Sequence, residues 1–204
     1  MNCIRKFFGI AVIIVGIATA SQTWAQESDS SSAPKTGFLP TVGIGAAVLN
    51  TVLGTNTSGV IGFQGYVKGS YFFTPNVGVS LGSDFTFRGH SLASSTTSAP
   101  FLDIPFSFSF SLPWQTMGSG SRPITHLGLY YAMPLGDYSG DLDISSFGEK
   151  KAYLGLLLSH DTLFKVTENF SMGFNTWLKY GLVSAFETSD VKYFDFGIGL
   201  VLGF

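Results

Sequence analysis

Three histidines, His90, His126 and His160, are the side chains best suited to proton transfer near neutral pH, and two of them have a serine beside them: Ser91 follows His90 and Ser159 precedes His160. With a carboxylate in reach, a serine activated by histidine performs acyl transfer or deacylation. Adjacent residues on an extended strand point to opposite faces, however, so neither pair forms a ready dyad, and a structural role is the stronger reading for each histidine. The histidines lack metal-ligand spacing. Glycine runs such as "GIGAA" and "DFGIGLVLG" resemble dinucleotide loops only superficially, because no crossover helix pattern follows them. Neither a catalytic residue, a metal nor a cofactor is therefore expected. Asp137, Asp141, Asp143 and Glu149 lie in one polar stretch that could bind a cation or a partner, with a solvated loop as the preferred reading.

The elements that must position these side chains are strands. The composition joins 45% hydrophobic residues with only 12% charged ones, and its 20 phenylalanines and 25 glycines disfavour helices. At the start, Arg5 and Lys6 precede the apolar run "FFGIAVIIVGIATA", and small residues follow in "ATASQTWAQ", the layout of a secretory signal peptide over 1–25. The one cysteine, Cys3, falls inside that segment, so the exported chain would hold no disulfide or thiol nucleophile. A polar leader covers 26–36, and the excess of acidic over basic residues is no nucleic-acid footprint.

From residue 37 onward the chain repeats segments of alternating character separated by turn-rich stretches, eight in all. "FLDIPFSFSFSL" has the cleanest alternation, with Leu102, Ile104, Phe106, Phe108 and Phe110 against Asp103, Ser107, Ser109 and Ser111. "AYLGLLLSHD" is ambiguous in its leucine run, and Leu154, Leu156 and Leu158 give the better phase. Pro105, inside a strand and without an N–H to donate, predicts a bulge or kink.

In a soluble sandwich the non-apolar face would carry Lys, Glu and Thr, whereas here it is mostly Gly, Ser, Ala and Tyr. A closed antiparallel up-and-down transmembrane β-barrel of about eight strands over 37–204 inverts the assignment, with the apolar face in lipid and small or polar groups filling a narrow lumen. That phase sends Lys68, Arg88 and Lys179 inward together with Asp84, Asp103, Asp161 and Asp195, an interior network near charge balance. Lipid cannot satisfy an open sheet edge, so the last strand must pair with the first.

The run Phe194, Phe196, Ile198, Leu200, Leu202 and Phe204 alternates aromatic and aliphatic residues up to a terminal Phe, and it resembles the signature of Gram-negative outer-membrane barrels read by the barrel-assembly machinery. Residues 37–204 are similar to small eight-stranded barrels of the OmpX and OmpA transmembrane-domain type. "LDIPFSFSF" followed by "RPITHLGLYYAMPL" is also similar to PorT-like outer-membrane barrel domains. The resemblance implies an outer-membrane protein that meets periplasmic chaperones and the assembly machinery during biogenesis, then outer-membrane lipids, as a monomer. A non-enzymatic scaffold with a packed lumen and loops for surface interaction or envelope integrity is the leading expectation. A narrow channel for small or hydrophobic molecules and a lipid A-modifying enzyme are the alternatives. Stretches 50–59, 89–100, 136–151 and 186–192 are expected as external loops, and 74–76, 113–123 and 164–169 as periplasmic turns.

Overall fold

A computed structural model of the chain describes residues 36–54, 57–111 and 121–204. The signal peptide and nearly all of the leader lie outside the described residues, as does most of the 113–123 turn. Eight long strands dominate: β1 (Gly37–Leu53), β2 (Gly62–Phe72), β3 (Val77–Leu92), β4 (Ser95–Phe110), β5 (Ser121–Pro134), β6 (Tyr153–Lys165), β7 (Ser171–Gly181) and β8 (Lys192–Gly203). Each pairs antiparallel with its neighbour in sequence, and β8 returns to β1 through register pairs running from Thr41↔Gly203 to Leu53↔Lys192. The sheet is thus closed and has no free long edge, as the requirement for a sealed ladder anticipates.

Alternation sorts the side chains into two opposite environments. Ile61 (75% exposed) and Phe63 (71%) face out, whereas Arg88 and Asp103 are fully covered at 0%. On β6 the leucine run resolves with Leu154, Leu156 and Leu158 outward and Leu157 inward. Apolar outside and charged inside is the reverse of a water-soluble core. Aromatic side chains crowd the end that carries the tight turns: Phe38, Tyr71, Phe73, Phe164 and Phe204 are all exposed there, and the Phe170 and Phe204 rings lie 5.6 Å apart.

Three inward glycines exist to admit a cross-strand ring. Gly43 faces Tyr66, Gly155 faces Tyr130 and Gly197 faces Trp177, each as direct register partners. A Cβ at any of the three would fall inside the van der Waals envelope of the opposing ring. A narrow lumen can hold these aromatics only if the facing residue has no side chain.

Two irregularities interrupt the ladders. The β1–β8 register shifts between Ala47 and Leu49, so one extra residue reverses the phase: Ala47 is inward, and beyond the shift Val52 is inward as well. Opposite Pro105 the β3–β4 pairing skips from Leu81↔Phe106 to Asp84↔Asp103, yet the count of residues on both strands is equal. Pro105 therefore opens the ladder locally without inserting a bulge, because it removes a donor while its inward ring keeps the phase.

At the end away from the tight turns, β3 and β4 run on to a two-residue turn after Leu92, where Ala93 takes φ 54°. The stretch 89–100, expected as a loop, is therefore mostly ladder, with pairs from Gly89↔Ser98 to Leu92↔Ser95. Short pairings flank this hairpin on both sides, Ser58–Gly59 against His90–Ser91 and Ser139–Gly140 against Thr97–Ser98. Its Ser and Thr residues read as loop composition but satisfy a twisted ribbon equally well.

Candidate functional site: the charged lumen and its aromatic lid

The inward faces of the strands bring all seven expected lumen charges inside the barrel, in two clusters at different heights. In the first, Arg88 of β3 grips Asp103 of β4 with both terminal nitrogens, at 2.8 and 2.7 Å, and its Nε donates to Asp195 of β8 at 2.8 Å. The planar guanidinium can grip one carboxylate with two parallel bonds while its Nε serves a second, a fixed geometry that an ammonium does not offer. Lys179 of β7 reaches across to Asp103 at 2.7 Å and Asp84 at 2.8 Å, and Gln64 of β2 joins both Lys179 and Asp84 at 3.3 Å. Three carboxylates thus share two cations, with a carboxamide between them. The cations also lie over rings: Arg88 is 5.4 Å from the Phe101 centroid and 5.7 Å from that of Tyr130.

Closer to the tight turns, Lys68 of β2 pairs with Asp161 of β6 at 2.6 Å and approaches His126 Nε2 at 2.9 Å. Asn175 donates to the other oxygen of Asp161. With Lys68 donating to Nε2, His126 carries its proton on Nδ1, which lies 2.9 Å from the Ser109 hydroxyl. Ser80 bridges Ser70 and Ser109, completing a hydroxyl chain below the imidazole.

Ser109, His126 and Asp161 therefore converge in a serine–histidine–carboxylate order, although neither serine adjacent in sequence to a histidine takes part. All three are completely covered, and Lys68 occupies the imidazole nitrogen that the carboxylate approaches. A serine nucleophile needs an accessible hydroxyl and a base free to take its proton, and this arrangement supplies neither. The other histidines are separated from it. His90 sits high in the barrel between Thr57 (3.0 Å) and Tyr193 (2.9 Å), and His160 faces outward, bonded to Thr125 at 3.0 Å. Among the described residues, no group of three or more His, Cys, Asp or Glu could hold a metal ion.

Above the Arg88 cluster a group of aromatic rings packs together as a lid. The ring centroids of Tyr138, Phe147, Phe186 and Tyr193 lie 5.4–5.8 Å from that of His90, with Tyr138 stacked on Phe186 and hydrogen-bonded to Tyr193. His90 and Tyr193 come from β3 and β8, and two connections supply Tyr138, Phe147 and Phe186: 135–152, which contains the 3-10 turn Ser145–Phe147, and 182–191. Backbone bonds tie them together, Lys151 N–H to Ala185 O and Glu187 N–H to Glu149 O, both at 2.9 Å. Burial in the lid pushes the Tyr138 hydroxyl up to about 12, so it stays a neutral donor at any physiological pH. Two of the four acidic loop residues take structural parts: Asp137 pairs with Lys150 at 2.9 Å, and Asp143 accepts from Ser145 N–H, which holds its carboxyl below the usual range.

Gln64, Asn175, His126 and the lid were not among the expected network. The first three occupy inward positions of their strands, so the alternation that selected Lys68 and Asp161 selects them too once neutral polar groups are counted. Nothing periodic marks Tyr138, Phe147 and Phe186, which come from irregular connections, whereas His90 and Tyr193 are inward strand residues.

No family model and no curated relative matches the chain. Among solved structures, the outer membrane protein OprG from Pseudomonas aeruginosa is similar with TM-score 0.59 and 14% identity, covering 86% of this chain and 99% of that one. Neisserial surface protein A is similar with TM-score 0.51 and 15% identity, over 82% of this chain and 96% of its own. At such identity the likeness concerns the fold: a small, closed eight-stranded barrel.

Proposed function

We propose that the chain is an integral outer-membrane β-barrel of a Gram-negative envelope, non-enzymatic and closed to solute flow, which carries a rigid outer platform made of the β3–β4 hairpin and the two lid loops. The observation that carries this reading is the inversion of polarity, with an apolar exterior around a lumen spanned by seven acidic and basic side chains. A soluble protein would not leave Ile44, Phe106, Leu127 and Phe174 half or more in water while covering Arg88 and Asp103. Fold likeness to an outer-membrane protein supports the same placement. The short turns between β2 and β3 and between β6 and β7 support an orientation with that end of the barrel on the periplasmic side.

In this reading Phe194, Phe196, Ile198, Leu200, Leu202 and Phe204 present the assembly signature along the lipid-facing side of β8. The external platform is where a surface partner or neighbouring envelope component would bind. A transport role requires the lid and the Arg88 cluster to part together, and an enzymatic role requires access to Ser109.

Membrane extraction tests the placement. The protein should sediment with outer membranes, resist carbonate extraction, and migrate faster on a gel when unheated than when boiled. Recovery in the soluble periplasmic fraction contradicts the proposal.

A further inference from the structure

Within the apolar belt of the outward wall, where β3 shows a lone Ser83 between Leu81 and Phe85, β5–β7 carry a cluster of polar side chains. Thr125 on β5, His160 on β6 and Thr176 on β7 are direct ladder partners, so three polar side chains stand in one row on the outer surface. Thr162 stands next along β6 on the same face. Followed in either direction the row turns apolar, with Phe110 beyond Thr125, and Ile198 then Ala46 beyond Thr176. Larger apolar groups rim the patch: Leu127, Leu158 and Phe174 are each about half exposed or more. His160 lies four residues before Phe164 of the aromatic end, which at the rise and tilt of barrel strands sets it about 10 Å inside that ring.

His160 Nδ1 is engaged by Thr125, and Nε2 has no partner among the described residues. An imidazole left so in hydrocarbon loses its hydrogen bond to water and gains nothing in return, which makes an intramembrane ionisable group a mark of function. Three threonine hydroxyls beside it, each able to donate and to accept, make the patch self-complementary: about a two-fold axis, His160 of each copy meets a threonine of the other. Threonines are also short beside the rim of Leu and Phe, so two walls can approach closely there, as small polar residues allow between membrane segments.

We infer that the β5–β7 wall is a self-association surface, through which a second copy of this chain docks within the membrane by way of His160 and the flanking threonines. This replaces the monomer expected from the sequence, and it rests on the membrane placement proposed above.

Oxidative cross-linking in phospholipid vesicles tests it, in a Cys3→Ser background. Leu158→Cys, on the rim of the patch, should give a covalent dimer, whereas Phe63→Cys, on β2 across the barrel from β6, should stay monomeric. Energy transfer between labelled copies should show association about tenfold weaker for His160→Leu, the loss of two symmetric intramembrane hydrogen bonds. Thr176→Val should weaken it in the same direction and serves as the second variant should His160→Leu not fold. Equal cross-linking at both cysteine positions, or unchanged association in the variants, overturns the inference and points to lipid or another protein as the occupant. Heat-dependent gel migration is read on every sample. A chain that never shows a folded band counts against the membrane-barrel reading, whereas folded monomers count only against the docking surface.

Discussion

Arg88→Met is expected to lower the unfolding free energy by about 3–5 kcal/mol, the loss typical of breaking a buried ion pair from one side. The guanidinium is fully covered and makes three charge-assisted hydrogen bonds. Methionine fills similar volume and keeps contact with Phe101 and Tyr130, so the loss measures charge and hydrogen bonding more than packing. After the change Asp195 keeps no cation, and Asp103 leans on Lys179 alone. Arg88→Lys should recover only part of the loss, because one ammonium cannot engage two carboxylates placed for a planar fork. Urea titration in detergent micelles, followed by the unheated gel band, reads the effect. A loss below about 1 kcal/mol means that water solvates the cluster and that the lumen is open to it.

Lys68→Met should cost about 3 kcal/mol by the same logic at the second cluster, slightly less because Asn175 still donates to Asp161 and the freed His126 Nε2 can take the proton and donate to it as well. Pairing it with Asp161→Leu should restore part of the stability, since the double change removes both ions instead of stranding one. The double-mutant cycle should return a coupling of about 1–3 kcal/mol. Arg88→Met and Lys68→Met share no hydrogen-bond partner and should combine nearly additively. Strong coupling between them means one continuous network in place of two.

The architecture was legible in the sequence because a closed barrel imposes one period-two rule on every strand. Lys68, Arg88 and Lys179 could be sent inward from parity alone, and Leu157 could be separated from Leu156 and Leu158. Parity fails where a single residue is inserted: the shift near Val48 falls among small apolar residues that suit either face, so the sequence carries no mark of it. The hairpin above Arg88 was hidden because serine and threonine serve loops and exposed ribbons alike. Which cation meets which anion was also beyond reach, since Lys179 pairs with residues 76 and 95 positions away, set by barrel stagger and not by local spacing. The lid joins residues of two loops and two strands, with His90 and Tyr193 meeting 103 positions apart, so no local spacing marks it.

The central claim is that two ionic clusters and an aromatic lid shut the lumen of a membrane barrel. Planar-bilayer recording of the purified, folded protein tests it most directly. Negligible conductance is predicted for the native chain. Large, stable, single-channel steps from a protein whose gel migration shows it folded would contradict the account.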